Sequence, residues 1–227
     1  RSRGLGDVYK RQTLRAYGCI RQESDGRYYL GMKLFQWGCS VSASWDITRL
    51  ARPYLERLAR DTGSTALLSR VEGSSITVID QCVSGAGIRV ASEMGSHVSL
   101  YATSQGKLLL ASLSDSAVHR LIPEGKLQAF TPHTLTDLPA LLADLERIRT
   151  QGYAIENGEY KIGLRSVSAP VYNRENDIAY IVSAVGLFRR VESDEFDLVI
   201  RQTCDDARAL SLQNGGGGCG EKPCLPL

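Results

Sequence analysis

The segment YATSQGKLLLA, residues 101–111, could do chemistry, because its small polar run before Gly106-Lys107 is like part of a phosphate-binding loop. A P-loop requires G-x-x-x-x-G-K-[ST], in which backbone N–H groups approach the phosphates and the last hydroxyl binds Mg²⁺. Here Tyr101 stands at the first glycine position and Leu108 at the hydroxyl position. Both departures remove contacts that a nucleotide needs, so the sequence argues against a nucleotide site. What remains is a small polar turn before a helix.

The other residues that could catalyse a reaction or bind a metal do not form a set. His97, His119 and His133 lie in separate segments, and the chain has no G-x-S-x-G nucleophile elbow. Six cysteines are scattered without C-x-x-C spacing, which indicates reduced thiols of a cytoplasmic protein rather than a disulfide framework or a zinc site. We therefore expect no enzyme activity, no metal site and no cofactor.

Composition and charge narrow the class of protein. Hydrophobic residues make up 43% and charged residues 23% of the 227 residues, as in ordinary globular proteins, and no apolar run could span a membrane. Residues 1–40 contain eight Lys/Arg and three Asp/Glu, a net +5, so the remainder carries −3 of the total +2. A basic end indicates an anionic partner such as nucleic acid, although a solvated charge cluster is equally compatible with the charge alone.

The N-terminal segment predicts a helix end followed by a hairpin. Residues 1–12 show no clear period and predict a tail; a short helix is expected from Thr13 to Tyr17, ending at Gly18. The Asp25-Gly26 turn between two short β-prone runs predicts a hairpin. A connecting helix is expected over residues 31–45.

The longer part of the chain predicts an α+β fold with a central antiparallel or mixed sheet over residues 46–213. Its pattern predicts a helix from Asp46 to Gly63 with a kink or break at Pro53. The other expected elements, in chain order, are strands TALLSRV and SSITVIDQCV, a strand–turn–strand in GIRVASEMGSHVSLYA, helices over 104–112, 114–121 and 137–151, strands SVSAPVY and IAYIVSAVG, and a helix over 193–212. The glycine-rich residues 214–227 predict disorder.

The order of several motifs resembles the IclR family of bacterial transcription regulators. AYGCIRQESDGRYYLGMKL is similar to the family's recognition-helix end, wing and first linker-helix residues, and DITRLARPYLERLARDTGSTALLSRVEGSSITVID is similar to the opening of its effector-binding domain. SLYATSQGKLLLAS resembles its histidine/threonine-alanine-x-glycine-lysine segment. RIRTQGYAIENGEYKIGLRSVSAPVYNRENDIAYIVSAVG resembles its most recognisable block, G-Y, an acidic stretch, G-L-x-S/C and A-P-V.

The resemblance implies a winged helix-turn-helix joined by a linker helix to a GAF-like sensor of small organic acids. It also implies operator DNA and a homodimer or dimer of dimers as partners, no catalysis, and a cytoplasmic location. A complete winged helix-turn-helix needs about 50 more residues before Gly18. We therefore expect residues 13–30 to be a remnant of it, followed by a linker helix over 31–45 and an effector-binding domain over 46–213. A stand-alone small-molecule-binding module that never contacts DNA is the alternative.

The resemblance also implies an effector pocket and a DNA-contacting surface. The pocket residues, carried over by position, are Ile88, Val98, Ser104, Gln105, Glu156, Ser166, Ser183 and Val185. Ser104 and Gln105 would offer helix N-terminal N–H groups to a carboxylate, and Glu156 would accept from a ligand hydroxyl. Around the wing, Arg15, Arg21 and Arg27 could reach phosphates.

Each of these assignments has an ordinary structural alternative. Ser104 could cap a helix, Ser166 and Ser183 could be plain strand residues, and Glu156 and Glu159 could form a solvated acidic turn. For three further residues the ordinary interpretation is favoured. Lys107 is expected to be a helix residue with a solvated ammonium group, and Asp205 and Asp206 are expected on the solvent-exposed face of the last helix. The three arginines are equally compatible with solvated surface charges.

Overall fold

The structure is a computed structural model that describes residues 3–37, 46–84, 98–122, 125 and 127–216. The chain divides into two compact units, Arg1–Asp46 and Ile47–Leu227. Ile88, His97, most of the expected strand–turn–strand and most of the glycine-rich tail lie outside the described residues. Among the helices described, none is long and apolar enough to cross a membrane.

The first unit contains a helix, a hairpin and the start of a second helix. Helix α1 (Arg3–Ala16) is followed by strands β1 (Ile20–Gln22) and β2 (Tyr28–Leu30), which pair antiparallel as expected, and residues 32–37 are helical (α2). Gly18 has φ +69°, the left-handed conformation expected where the chain leaves α1. Helix α1 begins ten residues before the expected start, because residues after Gly6 are mostly good helix formers and helix propagation is cooperative.

The second unit is built on a five-stranded antiparallel sheet. Its elements in chain order are α3 (Asp46–Thr62), β3 (Thr65–Glu72), β4 (Ser75–Val83), α4 (Ser104–Ala111), α5 (Asp115–Leu121), α6 (Leu138–Gln151), β5 (Ala154–Asn157), β6 (Arg165–Tyr172), β7 (Ile178–Gly186) and α7 (Asp194–Gln213). The sheet order is β4-β3-β7-β6-β5, and every neighbouring pair is antiparallel. The expected α+β fold with an antiparallel sheet is confirmed.

The two faces of the sheet carry different side chains, because successive residues of a strand point to opposite faces. On β6 and β7, Val167, Ala169, Val182 and Ala184 are buried on the face against which α7 packs. The alternate residues, including Ser168, face α4. The space between the sheet and the helices on the α4 side is filled by an apolar cluster to which α4, α5 and α6 contribute.

Three local predictions for the second unit need correction. Of the kink or break expected at Pro53, the break is wrong: helix α3 runs through Pro53, because the burial of Leu55 and Leu58 after it stabilises the helix despite the missing N–H. Strand β5, which carries Glu156, was not predicted, since only four residues form it at the edge of the sheet. Asp206 was expected on the solvent-exposed face of α7, but it is fully buried and paired with Arg57 of α3.

Candidate functional site

The register of β5, β6 and β7 places four polar side chains on the α4 face of the sheet. Glu156 lies opposite Ser166, and Ser168 lies opposite Ser183. Ser166 and Ser168 are two residues apart on β6 and therefore share a face. All four residues are buried, with between 0% and 5% of each exposed.

Helix α4 adds its first turn to this group. Thr103 is the N-cap, with its hydroxyl oxygen accepting from the backbone N–H of Gly106 at 3.1 Å. The interpretation of Ser104 as the cap is therefore wrong: Ser104 is the first helical residue, and its hydroxyl bonds Ser166 at 2.8 Å and Ser168 at 2.7 Å. The cap position falls on Thr103 because only the residue before the first helical turn can reach the N–H three residues on.

Gly106 allows α4 to approach the preceding segment closely. A Cβ atom at this position would lie 2.1 Å from the carbonyl oxygen of Ser99 and 2.4 Å from Cα of Leu100. Neither neighbour is a flexible side chain, so only glycine fits without a shift of the backbone. The glycine that resembled a phosphate loop therefore has a packing role beside the site.

The polar side chains form one continuous hydrogen-bonded chain, which we call the serine chain. It runs from Glu156 through Ser166 (3.2 Å) to Ser104, then to Ser168 and Ser183 (2.8 Å between the last two). Of the residues predicted from the sequence, it brings together Ser104, Glu156, Ser166 and Ser183. Sequence reasoning missed Ser168, although its spacing of two from Ser166 on a predicted strand was a usable signal.

Glu156 is buried without a basic partner among the described residues. Burial raises the pKa of Glu156 above its ordinary value, and the charge of Glu159 adds to the rise. The backbone N–H groups of Tyr160 and Glu159 and the hydroxyl of Ser166 oppose the rise by donating to the carboxylate. The prediction of a solvated acidic turn is wrong for both glutamates, since Glu156 is 1% and Glu159 8% exposed.

Lys107 has no solvated head; its ammonium group is buried between two carboxylates. Lys107 Nζ lies 2.8 Å from Asp144 Oδ2 and 2.6 Å from Glu159 Oε1, and Arg147 also pairs with Asp144. Burial opposes ionisation of Asp144, but Lys107 and then Arg147 outweigh it, so the pKa of Asp144 is lowered. For Glu159, burial outweighs Lys107 and the pKa is raised. Helical periodicity in the sequence could not reveal that the Lys107 ammonium group is buried, because every residue of α4 is buried and the helix has no exposed face.

Of the remaining predicted pocket residues that the structure describes, Gln105 follows Ser104 on α4 and Val185 pairs with Ser166, and neither joins the serine chain. Gln105 is buried, and its Oε1 has no hydrogen-bond partner among the described residues. Val185 packs with Leu67 and Val78 in a small apolar cluster that Val98 also contacts. These residues could supply an acceptor and an apolar wall.

A surface cavity lies elsewhere in the second unit. It has a volume of about 590 Å³ and includes Lys107, Asp144 and Glu159 in its lining, but none of the predicted pocket residues. The charges of these three side chains are paired with one another, while the lining also contains His133, Glu192 and Asp197. The serine chain is the better candidate, since it combines buried polar groups with a helix N-terminus.

The three arginines predicted to contact DNA are exposed in the first unit. Arg21 pairs with Glu23 and Arg27 with Asp25, 3.7 Å away, while Arg15 donates weakly to Gln22 at 3.5 Å. These contacts between exposed groups leave the guanidinium groups accessible to a polyanion.

Comparison with known proteins shows similarity to one family along most of the chain. The sequence model described as "Bacterial transcriptional regulator IclR C-terminal" matches residues 39–212. The chain is 34% identical over 205 residues to the HTH-type transcriptional regulator XynR of Escherichia coli K12, covering 90% of this chain and 81% of XynR. It is 29% identical over 205 residues to the HTH-type transcriptional repressor AllR of the same strain, covering 90% of this chain and 76% of AllR.

Solved structures agree with the sequence comparison. The IclR protein of Thermotoga maritima superimposes with a TM-score of 0.73 at 28% identity, over 93% of this chain and 86% of that one. An IclR-type regulator from Silicibacter sp. has the same fold, with a TM-score of 0.84 at 24% identity over 96% of this chain and 87% of that one.

Proposed function

The chain belongs to the IclR family of bacterial transcriptional regulators, and we propose that its second unit senses a small organic carboxylate at the serine chain. Proteins of this family bind operator DNA and effectors and usually form oligomers, and the relatives are regulators rather than enzymes. The proposal concerns which residues of this chain bind the effector, its chemical class, and the location, which we take to be the cytoplasm.

One observation carries the proposal. Ser104, Glu156, Ser166 and Ser183 are separated by up to 79 positions, yet they lie in one buried hydrogen-bonded chain. Burying polar groups costs free energy unless they are hydrogen-bonded. A buried set of four polar side chains is therefore expected where it has a function, such as binding a polar ligand.

The first turn of α4 supports a carboxylate as the ligand. The Thr103 side chain accepts only from Gly106, so the N–H groups of Ser104 and Gln105 have no partner among the described residues. Free N–H groups at a helix N-terminus, together with the helix dipole, favour an anion. A ligand carboxylate there would also be within reach of the Ser104 hydroxyl.

The regulatory effect follows from linkage. An effector that binds one arrangement of the oligomer more tightly than another shifts the population toward that arrangement, and with it the affinity for operator DNA. Coupling of 1–3 kcal/mol, a 5- to 150-fold change in affinity, is about the size typical of such effectors.

Thermal-shift measurements with a panel of organic acids test the site. An acid present at about 100 times its Kd should stabilise the protein by roughly 2.7 kcal/mol. Ser166→Ala and Ser183→Ala should weaken that stabilisation. Ser211→Ala is the matched control, because Ser211 of α7 is equally buried but accepts from the backbone N–H of Tyr172 on β6 and donates to the carbonyl of Ala207. If neither site variant weakens a ligand that binds the wild type, the assignment is wrong.

We propose that Arg15, Arg21 and Arg27 contact DNA phosphates. Each phosphate contact that is lost should reduce the slope of log K against log salt by about 0.9. Fluorescence anisotropy with duplex DNA at several salt concentrations compares the wild type with the triple alanine variant, and Arg201→Ala in the second unit is the control. Equal slopes would favour the alternative, a sensor module that does not contact DNA.

We also propose that the first unit associates with a second copy of the chain. Large apolar side chains of this unit are exposed, among them Leu30 (78%), Met32 (69%) and Phe35 (68%). Exposed apolar surface of this extent usually marks an interface. Light scattering of Phe35→Glu tests this: a mass that still corresponds to the oligomer would exclude Phe35 from the interface.

A further inference from the structure

We propose that this site binds its anionic effector together with one proton, and that Glu156 carries the proton at the end of the serine chain. The inference rests on the proposed carboxylate-sensing function and specifies its chemistry. The effector class would be a small monoanion whose affinity depends on proton uptake by the protein.

The arrangement of charges provides the first argument. Glu156 has no ion pair among the described residues, whereas the ammonium group of Lys107 is held by Asp144 and Glu159. Two hydrogen bonds, of 2.8 and 3.2 Å, place Glu156 Oε2 within about 6 Å of the Ser104 hydroxyl. An anion at the α4 N-terminus would therefore face an uncompensated carboxylate across two serine hydroxyls, and a like charge at this range disfavours ionisation of Glu156.

The groups that face Glu156 from each neighbouring element do not alter this conclusion. The turn after β5 contributes the backbone N–H of Tyr160 and the carboxylate of Glu159, and β6 contributes Ser166. Helix α4 contributes Ser104, which reaches Glu156 only through Ser166. Glu159 is the one titratable side chain among these described neighbours with a resolved influence on Glu156, and it too disfavours a second negative charge.

The direction of the hydrogen bonds provides the second argument. Each serine hydroxyl has one proton to donate. When Glu156 is ionised, Ser166 must donate to it, which turns that hydroxyl away from Ser104. When Glu156 is protonated, it can donate to Ser166, Ser166 to Ser104, and Ser104 to a ligand carboxylate. Protonation of Glu156 thus reverses the direction of the hydrogen bonds from Glu156 through Ser166 to Ser104. The Ser104 hydroxyl can then donate its proton to the anion.

An unpaired acceptor beside the α4 N-terminus indicates that the ligand also carries a hydrogen-bond donor. Gln105 Oε1 is buried beside the α4 N-terminus and has no partner among the described residues. A ligand with both a carboxylate and a hydroxyl could donate to it, so a 2-hydroxy acid such as lactate is a better probe than a simple acid.

Linkage fixes the pH range of the effect. Below the pKa of Glu156 in the free protein, the site is already protonated and the affinity does not change with pH. An anion bound beside it raises that pKa further, so between the free and bound values each unit of pH should raise Kd by up to tenfold. Above the bound value, no proton is taken up and Kd levels off.

Isothermal titration calorimetry with lactate and benzoate tests the inference. At each pH from 5 to 8, titrations in two buffers that differ in ionisation enthalpy, such as PIPES and imidazole near pH 7, count the protons taken up on binding. We expect up to one proton for the wild type, and none for Glu156→Gln, whose Kd should not vary with pH. The control, Glu175→Gln in an exposed turn, should keep the wild-type pH dependence.

The outcomes separate this inference from the function on which it rests. Binding of either acid with no proton uptake at any pH from 5 to 8, or a Gln variant with the wild-type slope, overturns the proton linkage and leaves the sensor intact. Failure of both acids to bind at every pH overturns the carboxylate site and the proton linkage together. A thermal unfolding curve of Glu156→Gln at each pH establishes that its loss of pH dependence is not a loss of fold.

Discussion

Lys107 Nζ lies 2.6 Å from Glu159 Oε1, and the two side chains are 2% and 10% exposed. Lys107 follows Ser104 by three residues on α4, and Glu159 follows Glu156 by three residues after β5. The ion pair therefore fixes the two parts of the serine chain relative to each other. Asp144 Oδ2, 2.8 Å from the same ammonium group, extends the connection to α6.

Lys107→Met should destabilise the protein strongly, because it leaves two buried carboxyl groups without their cation. Loss of one partner from a buried ion pair costs about 3–5 kcal/mol. Urea denaturation at pH 7 measures the change, with the exposed Lys161→Met as control. A triple variant that adds Asp144→Asn and Glu159→Gln should recover part of the loss; a loss below about 1 kcal/mol in the single variant would contradict the role assigned to Lys107.

Glu156→Gln should change how stability depends on pH. Since burial raises the pKa of Glu156 in the folded protein, the wild type loses stability as pH rises from the ordinary value of 4.5 toward the raised one. The glutamine variant lacks this loss. Its free energy of unfolding relative to the wild type should therefore increase over that range by about 1.4 kcal/mol for each unit of pKa shift. Urea denaturation from pH 4 to 8 measures it. An advantage that does not grow with pH would exclude a raised pKa.

Gly106→Ala should destabilise the protein by about 1–3 kcal/mol, as overpacking of a tight site does. The added Cβ would lie 2.1 Å from the Ser99 carbonyl oxygen, so α4 or the preceding segment must move. Thermal unfolding measures the loss. Because the shift displaces the Ser104 and Gln105 N–H groups, organic-acid binding should weaken as well. Gly73→Ala, in the β3–β4 turn at φ +59° with open space around the added Cβ, should destabilise the protein through backbone strain but leave binding unchanged.

Arg57→Ala should cost about 1–3 kcal/mol, because it leaves the buried Asp206 carboxylate without its charged donor. Burial raises the pKa of Asp206 even with Arg57 present, so the loss should be larger at pH 8 than at pH 5. Arg60→Ala, which removes an arginine paired with the exposed Asp61, should change stability by less than about 1 kcal/mol. A similar effect of both variants in urea denaturation would contradict the prediction.

Local sequence patterns predicted most elements because each depends on few residues. The helix expected over residues 137–151 is observed as α6, which Asp137 caps and which Gly152 ends at φ +82°. The hairpins of β1–β2 and β3–β4 followed from turn residues between β-prone runs. The continuity of α3 through Pro53 did not follow, since packing along the whole helix decides it.

Buried charged side chains were the least predictable part of the second unit. Lys107, Glu159 and Asp206 were assigned to solvent because these residue types are seldom buried, and the sequence does not show where their partners lie. Each is buried beside an opposite charge that is between 37 and 149 positions away. Family resemblance did supply the positions of Ser104, Glu156, Ser166 and Ser183, but not the bonds between them.

The sequence by itself determined the α+β class, the limits of most helices and strands, and the family, because these depend on local periodicity and on motifs in a fixed order. The tertiary structure decided that four serines and one glutamate form a single buried chain, and that Lys107 is an internal cation. It did so because antiparallel pairing and the packing of α4 on the sheet bring distant residues into contact, and burial then sets the charge that each can carry.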